Sequence, residues 1–379
     1  MVTVGTARAC LVAAMVAAVA LAAASAVAAP PVSAPVYLVQ SSVDGTTLAA
    51  RGADRRRAIA SITKLMTVLV ALERTRLADV VTVSPRATSI GESTLNLRPG
   101  ERITVRDLAI GALVPSANDA ATALALHAGQ GSLSRFVELM NAKARALGLH
   151  GTHFANPHGL DQPGNYSTAR DVVQLLRAAL RNPFLRAWSG RTSATIAGGR
   201  NVETTDDLLW RLPSLVAGKT GQTGDAGWSQ VAAASSRGAT VVAAVLGAST
   251  RERRNADLEA LLRWGLARYR PVLVVDTART YARAEAGWGL EPVRLRAARS
   301  IVAPAAVRRP LVERVVATQV LRLPVRRGDR LGEVQVFDGR RLVARVPLLA
   351  DRDVPEPGLL DKAGFVVRRT AHHLAGFVS

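Results

Sequence analysis

The spacing of apolar residues changes period along this chain, and the order of the changes limits what it can fold into. Residues 36–51, "VYLVQSSVDGTTLAAR", alternate and turn near Asp44-Gly45, which predicts a β-hairpin. The chain then runs into "ASITKLMTVLVALERT" (60–75), where Ile62, Leu65, Met66, Leu69, Val70 and Leu72 recur near the helical period. "TVRDLAIGALVPSANDAATALALHA" (104–128) predicts two helices broken at Pro115, with Ser116 capping the second. "SRFVELMNAKARALGL" (134–149) and "YSTARDVVQLLRAAL" (166–180) predict two more, the latter capped by Ser167 or Thr168. Strand-like "WSQVAAASS" (228–236) and "ATVVAAVLGA" (239–248) follow, then a last helix in "NADLEALLRWGLARY" (255–269). Strands, helices, strands, helix: this order predicts an α+β unit over 33–270 in which an antiparallel sheet packs on a separate helical lobe.

Composition shifts near residue 270 to short apolar alternations cut by Gly, Pro and Arg, which predicts a small all-β unit over 271–355. In "GEVQVFDGRRLVARVPL", the residues Val334, Val336, Leu342, Ala344 and Val346 alternate around Asp338-Gly339, as in a hairpin. Helical spacing returns in 358–379. Leu359, Leu360, Ala363, Val366 and Val367 share a face, with Asp361, Lys362, Arg368 and Arg369 opposite. A spanning helix needs about 20 mostly apolar residues. This segment is therefore expected to lie on an anionic membrane surface, although the same spacing also serves a helix packed on the β unit.

At the other end, Arg8 precedes "LVAAMVAAVALAAA" and a small-residue stretch closing in Ala26-Val27-Ala28. That is the pattern of a cleaved secretory signal over 1–28; an uncleaved anchor calls for a longer apolar run. Cys10, the only cysteine, leaves with it. The exported chain is thus expected to lack disulfides and thiol chemistry and to be stabilised by packing alone. Its 6 histidines form no HExxH-type array, so no metal is expected. With 49 basic and 29 acidic residues the formal charge is +20, which favours anionic partners. Only 4% of residues are aromatic and no binding module is recognisable, which sets nucleic acid aside and leaves membrane surface and cell wall.

The basic residues are 45 arginines and only 4 lysines, and one of the four, Lys64, stands in the apolar run three residues after Ser61. On a helix the two share a face, about 5–6 Å apart at Cβ. A serine hydroxyl is a poor nucleophile until a base takes its proton, and a buried lysine beside positive charge can be that base, whereas an arginine cannot. An isolated Ser-x-x-Lys is more often a capping serine with a snorkelling lysine. Two further tripeptides change the weighing: Ser116-Ala117-Asn118 at a helix start, and Lys219-Thr220-Gly221 before the strand-like stretch 228–235. In that order the three elements are those of β-lactamases and penicillin-binding proteins.

With "ASITKLMT", "ALVPSANDAA", "FANPHGLD", "YSTARDV", "GKTG" and "LLRWG", the chain resembles the low-molecular-mass penicillin-binding proteins that are D-alanyl-D-alanine carboxypeptidases. The resemblance covers about 33–270 in detail and implies a penicillin-binding, β-lactamase-like transpeptidase fold. It implies that Ser61 attacks the carbonyl between the two terminal D-alanines of peptidoglycan stem peptides. Lys64 would act as base and Ser116 as proton relay to the leaving group. Asn118 would hold the substrate amide, Lys219 and Thr220 its carboxylate side, and the backbone N–H groups of Ser61 and Gln222, beside Gly221, the oxyanion. No cofactor is implied, β-lactams would be inhibitors, and the location would be the outer face of the cytoplasmic membrane, in the periplasmic or cell-wall space. Members often carry His or an aromatic residue where Gln222 stands. Many have an arginine in a G-G-R-T segment that meets the substrate carboxylate. Here the register from "RWG" puts Ser249 there, leaving Arg251 or Thr220 for that task. "ESTLN" (Glu92–Asn96) looks like the Glu-bearing element of class A β-lactamases but precedes Ser116 instead of following it, and reads as structural. His158 reads as a loop-fixing residue. A β-lactamase-like hydrolase or a non-catalytic wall-binding protein are the alternatives; the first lacks a correctly placed glutamate and the second does not account for an intact trio.

Overall fold

The computed structural model describes residues 28–307 and 309–375, with side chains described to residue 367. Residues 1–27 of the expected signal segment lie outside the described residues. The first hairpin is β1 (Val36–Ser41) and β2 (Thr47–Arg51), turned with Gly45 at φ 73°. A 3₁₀ turn, Ala60–Thr63, leads into α1 (Lys64–Leu72), so Ser61 sits on the tight turn ahead of the helix that the periodicity predicts. Next come β3 (Val80–Thr82), α2 (Pro85–Thr88) and β4 (Arg102–Thr104), with β3 and β4 paired. The helical lobe continues through α3 (Val105–Leu113), α4 (Asn118–Ala128), α5 (Leu133–Ala146), α6 (Ala169–Ala179) and α7 (Pro183–Trp188). Thr168 caps α6 by accepting from Asp171 N–H. A small hairpin, β5 (Ser193–Ile196) and β6 (Arg200–Glu203), and the short α8 (Leu208–Arg211) precede three long strands. These are β7 (Leu215–Thr223), β8 (Gly227–Ser236) and β9 (Ala239–Ala248), followed by α9 (Arg251–Leu266).

The five-stranded antiparallel sheet has the order β2-β1-β9-β8-β7. Side chains alternate across it. Val36, Leu38, Val231, Ala233, Val242 and Ala244 pack against the helical lobe, while Val39, Ala232, Ala234, Val241 and Ala243 pack against Leu258, Leu261 and Leu262 of α9. Strands β8 and β9 are thus buried on both faces, which is why "ATVVAAVLGA" reads as an unbroken apolar run. Each buried Val or Leu contributes about 1.5–3 kcal/mol, and this core works without a disulfide.

One expectation is corrected, and one strand was not foreseen. Ser116 does not cap α4: the N-cap is Ala117, which makes no side-chain cap bond, and the Ser116 hydroxyl is engaged elsewhere. Lys219-Thr220-Gly221 precedes the 228–235 strand as expected and itself lies inside a strand, β7; the glycines and threonines of "GKTGQTG" hid this strand, which β8 pairs along its length.

The second unit pairs β10 (Tyr269–Val275) with β13 (Ile301–Ala306). Beside them is a sheet of β11 (Thr280–Ala284), β12 (Val293–Ala297), β14 (Leu311–Ala317), β15 (Arg330–Asp338) and β16 (Arg341–Ala350), in the order β11-β12-β16-β15-β14. Val334 faces Val346 and Val336 faces Ala344, all buried. A register shift after Val336 turns Leu342 outward, 42% exposed, against the simple alternation. Arg309 ties the two units, 3.4 Å from Asp44 and 3.3 Å from Asp338. The last helix, α10 (Leu359–Ala375), meets the β unit through Phe365, edge-on to Trp288 at 6.0 Å, and Lys362 over the same ring. Leu359, Leu360, Val366 and Val367 stay exposed.

Candidate active site

The turn that carries Ser61 is held from both sides by residues without side chains. A Cβ on Gly159 would lie 2.0 Å from Ala60 O, and one on Gly221 would lie 2.6 Å from Ile59 O and 3.1 Å from Ser61 N. Only glycine fits at either place. Ala60 itself has φ 47°, a left-handed conformation that costs an alanine about 1–3 kcal/mol and persists only when its surroundings impose it. Strand β7 and the Asn156–Asp161 loop impose it here. That loop is tied to the end of β7 by Asp161, which accepts from Thr223 Oγ1 (2.6 Å) and Asp225 N–H (3.0 Å).

Lys64 opens α1 with no exposed surface. Its Nζ lies 2.6 Å from Ser61 Oγ, 2.7 Å from Asn118 Oδ1 and 2.9 Å from His158 O. The last two can only accept, whereas the serine hydroxyl can donate. A neutral amine satisfies all three at once: two N–H groups to the carbonyls, and a lone pair for the Ser61 O–H. Burial, with the Lys219 charge nearby, pushes Lys64 well below the ordinary lysine value, while Glu92 and Asp119 pull it back.

Asn118 is locked to the loop before it. Its Nδ2 donates to Gly91 O (2.9 Å) and its N–H to Ser93 O (2.7 Å). The Asp119 carboxylate accepts from Leu95 and Leu97 N–H groups. "ESTLN" therefore shapes the site through its backbone. Ser116, also left-handed at φ 66°, accepts at Oγ from Lys219 Nζ (2.8 Å). Lys219 is 2% exposed and burial pushes it down to about 7. Thr220 Oγ1 lies 2.7 Å from Thr205 Oγ1. Gln222 is exposed at the end of the same strand.

All three sequence elements meet in one cleft. Around it, Arg251 is bonded to Asp207, and the Ser249 hydroxyl accepts from Arg253 (3.2 Å). His158 keeps its ring to its own loop, where Nδ1 accepts from Leu160 N–H (3.2 Å), and burial with Lys64 nearby lowers it to about 4. Sequence reasoning missed the backbone parts: the His158 carbonyl on Lys64, the Pro157 carbonyl on Thr67 (2.6 Å) and Gly159 against the nucleophile turn.

Residues 23–250 match the D-alanyl-D-alanine carboxypeptidase family. The chain is 31% identical over 362 residues to D-alanyl-D-alanine carboxypeptidase DacC of Escherichia coli, across 91% of this chain and 90% of that one. It is similar in structure to penicillin binding protein 5 from Haemophilus influenzae, with a TM-score of 0.64 at 27% identity over 87% of this chain and 100% of that one. A D-alanyl-D-alanine carboxypeptidase from Mycobacterium tuberculosis superposes with a TM-score of 0.60 at 33% identity over 64% of this chain and 95% of its own.

Proposed function

The chain belongs to the D-alanyl-D-alanine carboxypeptidase family, a serine peptidase that removes the terminal D-alanine from peptidoglycan stem peptides and is acylated by penicillins, and from that premise we propose how its own residues divide the work. Ser61 is the nucleophile and Lys64 its general base. Ser61 Oγ attacks the carbonyl carbon between the two D-alanines while its proton passes to the neutral Lys64 Nζ. The N–H groups of Ser61 and Gln222 stabilise the oxyanion. As the C–N bond breaks, the proton returns from Lys64 to the departing amine through the Ser116 hydroxyl. Lys219 holds that hydroxyl's oxygen, leaving its proton free to move. Asn118 fixes the substrate amide, and Lys219 with Thr220 holds the terminal carboxylate. Arg251, already bonded to Asp207, is not needed for it. Water then attacks the ester, with Lys64 again as base.

The observation that carries this reading is the partner set of Lys64: two carbonyls and one hydroxyl around a fully buried amine. The test is Ser61→Ala. The variant is expected to remain folded, release no D-alanine and show no penicillin adduct by intact-mass spectrometry. An adduct on the variant would remove Ser61 from the role.

The same proposal places the mature chain outside the cytoplasmic membrane after loss of 1–28, with α10 resting on an anionic lipid surface. Two observations support the surface contact. Phe365 and Lys362 of α10 meet the Trp288 ring while Leu359, Leu360, Val366 and Val367 are exposed, and among the described residues no helix is long and apolar enough to cross a membrane.

A further inference from the structure

Behind strand β7 lies a buried carboxylate that this reaction does not use. Asp206, 4% exposed, accepts from Leu208 N–H (3.0 Å) at Oδ1 and from Gln230 Nε2 (2.7 Å) at Oδ2. It packs on the strand itself: a Cβ at Gly218 would come within 2.9 Å of Oδ2. Alternation along β7 puts Gly218 and Thr220 on this reverse face and Lys219 and Gly221 on the face of Ser61. Gln230 stands opposite Thr220 in the ladder, and Thr205, next to Asp206, bonds the Thr220 hydroxyl. The first glycine of "GKTG" is thus the opening for Asp206, as the second is the opening for the nucleophile turn.

Burial pushes the Asp206 carboxyl above its ordinary value, while the cations Arg254 and Lys219 pull it back down. Lys219 and Arg254 are both buried, at 2% and 1% exposure. The Arg254 guanidinium donates to Asn255 Oδ1 (2.6 Å) and lies 5.7 Å from the Trp228 ring centre; neither neighbour is an anion. Lys64 adds a third nitrogen on the site face. Beyond them, Asp207, Arg251 and Glu252 face Arg254, while Glu92 and Asp119 face Lys64. Arginine keeps its proton when buried, whereas a buried lysine can lose it. The weak member is Lys219, brought down to about 7 by burial first, with Asp206 pulling it up and Arg254 pushing it down.

We propose that Asp206 is a positioning residue for the reaction: the counter-ion, seated under Gly218 on the reverse face of β7, that keeps the Lys219 ammonium charged for the substrate carboxylate. This rests on Lys219 being the carboxylate-holding cation. The ammonium must stay charged and Lys64 must stay neutral within one cleft, and a carboxylate placed behind the strand favours the first without touching Ser61.

The test is the pH profile of kcat/KM for D-alanine release, which reports the free enzyme. Asp206→Asn keeps the shape. Gln230 Oε1, buried without a partner, can turn to accept from the new amide. The alkaline limb is expected to move down by at least about one unit, so activity falls about 10-fold at pH 8 and stays within about 3-fold of wild type at pH 6. Arg254→Met is expected to move the limb the other way, and the double variant to bring it back. A general loss of packing would lower activity at every pH and could not produce opposite shifts. An alkaline limb left in place by Asp206→Asn, with Lys219→Ala still raising KM, overturns the inference. An unchanged KM in Lys219→Ala overturns the reading of Lys219 instead.

Discussion

Lys64 has no exposed surface, and two of its three partners are carbonyl oxygens that can only accept. Arginine at this place would bring in a fixed charge where the amine is neutral, and could neither surrender its proton nor fit a pocket shaped for one amine. Lys64→Arg is therefore expected to reduce the rate of penicillin acylation by about 10²–10⁴-fold, the usual size of a general-base contribution. A thermal melt close to wild type would show that the fold is kept. Acylation within a few-fold of wild type, followed by stopped-flow with a fluorescent penicillin, would take the base role away from Lys64. At this scale the side chains that meet around Lys64 were legible in advance, because Ser61-x-x-Lys64, Ser116-x-Asn118 and Lys219-Thr220-Gly221 are three short motifs in order and the chain holds only 4 lysines. What was hidden is carried by the backbone. A carbonyl such as His158 O has no letter of its own, and the left-handed turns at Ala60 and Ser116 are imposed by neighbours distant in sequence.

Elements were legible where the period was long and unbroken. Helices α4 to α6, strands β8 and β9 and the hairpin at Gly339 announce themselves through apolar spacing. Strand β7 did not, because its residues serve the site: two glycines admit neighbouring atoms, Lys219 turns to Ser116, and Thr220 bonds Thr205 on the other face. The short pairs β3–β4 and β5–β6 carry too few residues for any period to show. Helix α10 is the reverse case: its period was plain, but spacing alone leaves open which side meets the protein. Phe365 and Lys362 contact the Trp288 ring, and the exposed side holds Leu359 at 86%, Leu360 at 89% and Val367 at 68%. A helix buried in a globular core would be turned the other way. The mature protein is therefore expected to co-sediment with vesicles containing anionic lipid, less so at high salt, while a form ending at Pro357 stays in the supernatant. Equal pelleting of both forms, or of neither, would remove α10 from that role.

Across the whole molecule the buried apolar residues fall into separate cores. Those on the two faces of the first sheet draw on residues 32–262, with Tyr269 at their margin, and the core of the β unit draws on 274–354. The described ion pairs that join the units are few: Arg309 reaches Asp44 on one side and Asp338 on the other while it is itself 42% exposed. A surface pair of this kind contributes about 0–1 kcal/mol, far less than either core. Among the described residues, the side chains bonded to Ser61, Lys64, Ser116 and Lys219 come from no further along the chain than Arg254, so the geometry of the cleft is expected to depend on the first core alone. The expected consequence is that a chain ending after Arg270, which keeps Tyr269 in its place, folds and is acylated by penicillin at a rate within about 3-fold of the full chain. Calorimetry should then show two transitions in the full chain and only one of them in the shortened one, since each core is large enough to unfold as its own cooperative unit. A shortened chain that unfolds at once, or that folds without being acylated, would mean that the β unit shapes the cleft across the junction.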